Sequence, residues 1–174
     1  TLHEDLTPLG YVKASDVEFT VSEDKETQHV TMVDKIVDFS KLDVAGEEIE
    51  GAEISVTDKD GNIVDSWTST KEIHLINGLE EGQTYTLHED LTPLGYVKAS
   101  DIEFTVTTEK ENQHIDMIDK IVDMSKIDIG GNEVEGATIQ VLKDDEVIDE
   151  WVSSKEPHKI NNLEENQTYI LHEE

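Results

Sequence analysis

The sequence predicts an all-β chain built from small Greek-key β-sandwich modules set in tandem. Three observations predict it. Apolar and polar residues alternate in short runs, the pattern of half-buried strands. Turn-forming residues separate those runs. The whole pattern then repeats: TLHEDLTPLGYVKASD at 1–16 returns at 86–101, IVDFSK at 36–41 returns as IVDMSK at 121–126, and EGAEI at 50–54 returns as EGATI at 135–139. The period is 85 residues and drops to 84 after the turn DKDGN (58–62), whose counterpart KDDE (143–146) is shorter, so that Trp67 matches Trp151 and Tyr85 matches Tyr169. Self-similarity at a fixed period is the mark of a repeat architecture.

Residues 1–36 then read as the C-terminal part of one repeat, 37–121 as a complete repeat, and 122–174 as the N-terminal part of the next. In the complete repeat, Val37-Phe39-Lys41, Ala52-Ile54-Val56, Tyr85-Leu87-Glu89, Ile102-Phe104-Val106 and Ile115-Met117-Asp119 each alternate against polar neighbours. DKDGN reads as a hairpin turn, NGLEEG (77–82) as a loop, and Thr92-Pro93-Leu94-Gly95-Tyr96 as a Pro- and Gly-containing turn. No segment carries a helical apolar stripe. About seven short strands per repeat imply a small Greek-key or transthyretin-like sandwich. No Pro- or Gly-rich linker separates the repeats, so the modules should abut closely.

Composition limits the function. The 174 residues carry 42 acidic and 13 basic side chains, all of the latter lysine, for a formal charge of −29. That balance opposes nucleic acid and anionic membrane, whose binding rests on cationic contacts. The acidic residues are spread between apolar positions, as on well-solvated strand faces. With 35% hydrophobic residues and no cysteine, the chain can fill small cores but cannot staple them with disulfides. No run is long enough to span a bilayer, and an export signal or anchor is expected outside this segment.

Strand parity raises the central question. Lys41 shares the parity of Val37 and Phe39, Glu89 that of Tyr85 and Leu87, and Asp119 that of Ile115 and Met117, so all three should point inward. Buried ionisable groups are paired, neutralised or reactive. Burial favours the neutral amine and the neutral acid, a nucleophile and an electrophile. Attack of Lys41 Nζ on the Asp119 carboxyl, with Glu89 moving protons, would expel water and leave an amide between the first and last strands. Parity alone does not show that the three meet, and a lysine near a strand end can instead snorkel to solvent and pair loosely.

KLDVAGEEIEGAEISVTDKDGN (41–62), YTLHEDLTPLGY (85–96) and HIDMIDK (114–120) together resemble the collagen-adhesin B-type (Cna B-type, transthyretin- or prealbumin-like) repeat. FSK followed by EGAEI, and HVTMVD, also resemble the split module of that family used as a peptide tag and protein catcher. Such repeats form isopeptide bonds in Gram-positive surface adhesins and pilins. The resemblance implies that Lys41 is the nucleophile, Asp119 the acceptor and Glu89 the proton shuttle, and that the protein is extracellular and attached to the cell surface. The same roles fall on Glu4 and Asp34 near the start and on Lys126 and Glu173 near the end. Aspartate stands where many members carry asparagine, so water rather than ammonia should leave.

A stalk or fibre segment stiffened by such bonds is therefore expected, acting once on itself rather than as an enzyme, with neighbouring repeats as its partners. Two rivals stay open: a collagen- or glycan-binding module, and an uncrosslinked immunoglobulin-like spacer. The end segments either complete one another head-to-tail between chains or belong to flanking modules of a longer array. No metal or cofactor is expected, since DKDGN lacks the later ligands of a calcium loop and the seven histidines show no ligand spacing. They read better as exposed strand residues, and Trp67 and Trp151 as cover for one sheet face.

Overall fold

The alternating runs from Val37 onward become strands in the computed structural model, which describes residues 1–23 and 27–174, and the described residues before Val37 form only isolated bridges. The central segment forms β1 (Val37–Asp43), β2 (Glu53–Asp58), β3 (Ile63–Thr68), β4 (His74–Leu75), β5 (Thr84–Leu91), β6 (Tyr96–Lys98), β7 (Ile102–Thr105) and β8 (Gln113–Ile121). The C-terminal segment adds β9 (Asp123–Met124), β10 (Thr138–Lys143), β11 (Glu146–Val152), β12 (His158–Lys159), β13 (Leu163–Glu164) and β14 (Ile170–Glu173). Among the described residues there is no helix.

Two sheets form the central sandwich, one in the order β3-β2-β5-β7 and one in the order β13-β6-β8-β1-β4. Their inward residues make a single core, with Val37, Phe39, Ile54, Val56, Leu87, Phe104, Val106 and Met117 all buried. Phe39 lies at its centre, tilted against Trp67 and edge-on to Phe104. The first and last strands of the segment, β1 and β8, run side by side in parallel, with Lys41 opposite Met117 and Asp43 opposite Asp119. A parallel pair cannot be closed by a hairpin, so the chain must cross through the other sheet between them. That topology brings the two ends of the segment together.

Turn chemistry follows the residues present. In DKDGN, Asp58 Oδ1 accepts hydrogen bonds from the backbone N–H of Asp60 (2.9 Å) and of Asn62 (2.9 Å), so this carboxylate organises its own turn. Its shorter counterpart is a two-residue loop in which Asp144 and Asp145 both have positive φ, the geometry that suits a hairpin's twist.

The same pairings recur along the chain. Leu2 bridges Val17 and Val12 bridges Lys35, as Leu87 pairs with Ile102 and Val97 with Lys120. β10 pairs with β11 and β14 as β2 pairs with β3 and β5, and β9 pairs with β12 as β1 pairs with β4. Packing does not recur so fully. Leu171 is 53% exposed although its counterpart Leu87 is 1% exposed, because β14 has no strand in the place that β7 takes beside β5.

Candidate functional site

Lys41 sits on β1 between core residues, and its side chain enters the sandwich beside Met117 rather than reaching solvent. Asp119 follows Met117 inward on β8, in the same sheet. Glu89 comes from the other sheet, on β5 opposite Ile54 of β2. Regular alternation carries it inward after Tyr85 and Leu87, and a bulge follows it: Ile54 pairs with Glu89 but Glu53 with Leu91, so Asp90 is the extra residue and lies exposed. The three residues are 3%, 1% and 1% exposed, respectively, for Lys41, Glu89 and Asp119. Parity placed all three inside, and the two sheets bring them into contact.

Lys41 Nζ donates a hydrogen bond to Asp119 Oδ1 and lies 3.1 Å from Glu89 Oε1. Glu89 is aimed by its other oxygen, which accepts a hydrogen bond from the backbone N–H of Ala99 at 2.8 Å. Asp119 Oδ2 is buried with no hydrogen-bond partner, and Glu89 Oε1 has the Lys41 Nζ beside it. Ionised carboxylates can only accept, so a proton on Asp119 would give the pair a donor. Burial pushes the Asp119 carboxyl up to about 7, opposed by the hydrogen bond and charge of Lys41 and helped by those of Glu89. The site is a lysine Nζ, a carboxyl that burial pushes up to about 7, and a second carboxyl group touching Nζ. It is closed to solvent, so whatever reaction it supports is between its own side chains.

Residues 35–121 match the family model for the SpaA prealbumin-like fold domain. The chain belongs to this SpaA family. Among solved structures, the chain is similar to the shaft pilin SpaA of Lactobacillus rhamnosus GG, at 10% identity and a TM-score of 0.41 over 79% of this chain and 86% of that one. A streptococcal ancillary pilin matches at 14% identity and a TM-score of 0.41, over 96% of this chain and 66% of that one. The Bacillus anthracis TIE protein matches at 18% identity and a TM-score of 0.36, over 99% of this chain and 35% of that one. Comparison with curated proteins gives no match.

Outside the SpaA-matched segment, the end segments carry divided versions of the trio. Glu4 Oε2 accepts from the Ala14 N–H at 2.9 Å, the contact that Glu89 makes with Ala99. Asp34 stands near it, its carboxyl raised by partial burial and then by the charges of Glu4 and Glu81. At the other end Lys126 Nζ bonds to Glu173 Oε2 at 2.6 Å, with both side chains partly exposed. The N-terminal set has the aspartate and the glutamate without a counterpart of Lys41, and the C-terminal set has the lysine and the glutamate without a counterpart of Asp119.

Three features lay beyond parity. The Ala99 N–H that aims Glu89 is a backbone group, which residue types do not mark. His74 is half-buried and stacked on Trp67, ring centroids 4.0 Å apart, and bonds to Asp65; His158 repeats this against Trp151 and Asp149. The expectation of exposed histidines therefore fails at these two positions, because a flat imidazole fills the space over the indole. His114 bridges Asp38 on β1 and Asp116 on its own strand. The recurrence of these residues at the repeat period was the available signal.

Proposed function

We propose that the chain is a stalk or fibre segment of a Gram-positive surface protein, stiffened by an isopeptide bond that Lys41 and Asp119 form by themselves. The observation that carries this reading is the burial of Lys41, Glu89 and Asp119 in mutual contact. The reaction balances without any co-reactant. Lys41 passes a proton to Glu89, its free amine attacks the protonated Asp119 carboxyl carbon, Glu89 gives that proton to the departing hydroxyl, which leaves as water, and Glu89 then takes the second proton that the nitrogen sheds. An ammonium, a carboxylate and a neutral acid become an amide, a water and a neutral Glu89. The buried charges that made the site costly disappear with the product.

The bond would tie β1 to β8 and turn the segment into a closed loop. A pulling force would then pass through the two parallel strands and spare the rest of the sandwich, a mechanical role consistent with a surface location. The chain would act once and not turn over. A carbohydrate platform is less favoured, because the broad face of Trp67 is covered by His74.

Intact mass under denaturing conditions tests the reading. The expected mass is one water below the sequence mass, and Glu89→Gln or Lys41→Ala should restore the full value in folded protein. A full mass in the unaltered, folded chain would overturn the crosslink.

The divided end sites extend the proposal. Lys126 of one chain and Asp34 of another would complete a third trio, so chains would join head-to-tail into an open filament, each contact leaving a free end for the next. Alternatively these pairs are completed by flanking repeats of a longer array.

A further inference from the structure

The two places where successive repeats meet share one set of contacts. At the first, the Lys13 N–H donates to Leu79 O at 3.0 Å and Lys13 bridges Glu80 in parallel. At the second, β6 pairs in parallel with β13, Lys98 opposite Glu164. Ser15 N–H donates to Glu81 Oε2 at 2.9 Å, and Ser100 Oγ donates to Glu165 Oε2 at 3.0 Å. Lys35 Nζ lies 2.8 Å from Glu81 Oε1, and Lys120 Nζ lies 2.7 Å from Glu165 Oε1. A positive-φ glycine allows close approach each time: a Cβ on Gly10 would come within 3.2 Å of Leu75, and one on Gly95 within 3.1 Å of Lys159. Two independent junctions with matching partners define an interface, not a chance contact.

They differ at the lysine. Lys35 is 3% exposed, and its ammonium also donates to the carbonyl oxygens of Thr107 and Glu109 (2.6 Å for the latter) in the loop between β7 and β8. The side chain of Lys120 is 65% exposed. Counting by the period, the residues matching Thr107 and Glu109 would fall after Glu174.

We propose that Lys35 is an ionic clasp that docks one repeat onto the next and fixes the angle between them, and that Lys120 presents the same clasp to the β7–β8 loop of a further repeat. Three oxygens surround the Lys35 ammonium, which uses all three of its donors. Burial pushes the Glu81 carboxyl up, but the hydrogen bonds from Lys35 and Ser15 outweigh it, and the group ends below its usual range. An ionised carboxylate is a poor electrophile, so this contact is an ion pair and not a site for amide formation. Breaking such a buried pair by removing one partner is costly, which makes the docked orientation the stable one.

The inference rests on the repeat reading and not on the crosslink, so the mass test and the test of the clasp fail separately. Amide hydrogen exchange on the full chain reads the junction through residues 10–15 and 79–82, and the central sandwich through β1 and β8. Lys35→Met should speed exchange at 10–15 and 79–82 by about tenfold or more and leave β1 and β8 protected, whereas Lys120→Met should change 97–98 and 163–165 by less than about twofold. Exchange at 10–15 within about twofold of the unaltered chain, or an equal response to the two substitutions, would overturn the clasp. Should Lys35→Met loosen the sandwich as well, Glu81→Gln decides, since it leaves both carbonyl partners in place: faster exchange confined to the junction supports the clasp, and unchanged exchange rejects it.

Discussion

The proposed reaction depends on a protonated Asp119 carboxyl, which burial favours by pushing that group up to about 7. With Asp119 protonated, a trio of ammonium and Glu89 carboxylate and a trio of amine and protonated Glu89 would contain the same number of protons. No exchange with solvent is then needed inside a closed site, and a shift of one proton from Lys41 to Glu89 starts the attack. Once Asp119 loses its own proton, the carboxyl carbon is shielded by negative charge and the hydroxyl leaving group is gone. Since burial places that loss at about 7, water loss should be fastest on the acid side of neutrality. Chain purified in denaturant without ever having folded can be refolded across a pH series and followed by mass. The rate should be flat below about pH 6 and fall by about tenfold per pH unit well above 7. A rate that climbs steadily with pH would mean that deprotonation of the lysine, not protonation of the acid, limits the step.

At the level of strands, β1 and β8 join the ends of the segment, and the crosslink would lock them through residues 78 positions apart in sequence. Closing a loop of that size removes about 4–5 kcal/mol of unfolded-state entropy in the chain-entropy account. Glu89→Gln should therefore lower unfolding stability by about that much, read from denaturant midpoints, even though its fold is kept. A second device supports the same pair. The Asp38 carboxylate, outweighing burial and aided by Asp116, holds His114 above the usual imidazole range. A raised folded pKa means that its stabilisation is complete below the unfolded value of about 6.5 and disappears as pH rises through the folded one. In a Glu89→Gln background, adding His114→Gln should remove stability at acid pH and little of it at alkaline pH, and equal losses at both would reject the role. Parity made the strands and the inward trio legible, because a period of two assigns each residue to a face and the repeat checks each assignment again. Parity says nothing about which inward residues meet across the sandwich. The register of β1 on β8 and the Ala99 N–H settle that, and both belong to the backbone.

Across the whole molecule, a formal charge of −29 opposes any contact between chains. Head-to-tail joining must overcome it, since Lys126 and Asp34 would meet only after two strongly acidic bodies have approached. Repulsion between exposed charges reaches about 30 Å at 0.01 M salt and about 8 Å at 0.15 M. Encounter, rather than the chemistry inside the completed site, should then limit the rate at low ionic strength. Adding salt should speed the appearance of SDS-resistant ladders while leaving the loss of water within each chain unchanged. That separation is diagnostic, because the Lys41 site is assembled within one chain and does not depend on collision. Lys126→Ala or Asp34→Ala should abolish the ladders at every salt concentration, and mixing the two variants should yield a single dimer band and nothing larger. Each variant keeps one working end, so one bond can form and neither outer end can continue. Ladders that persist in either variant, or that fade as salt is raised, would show that the ends do not join in this way.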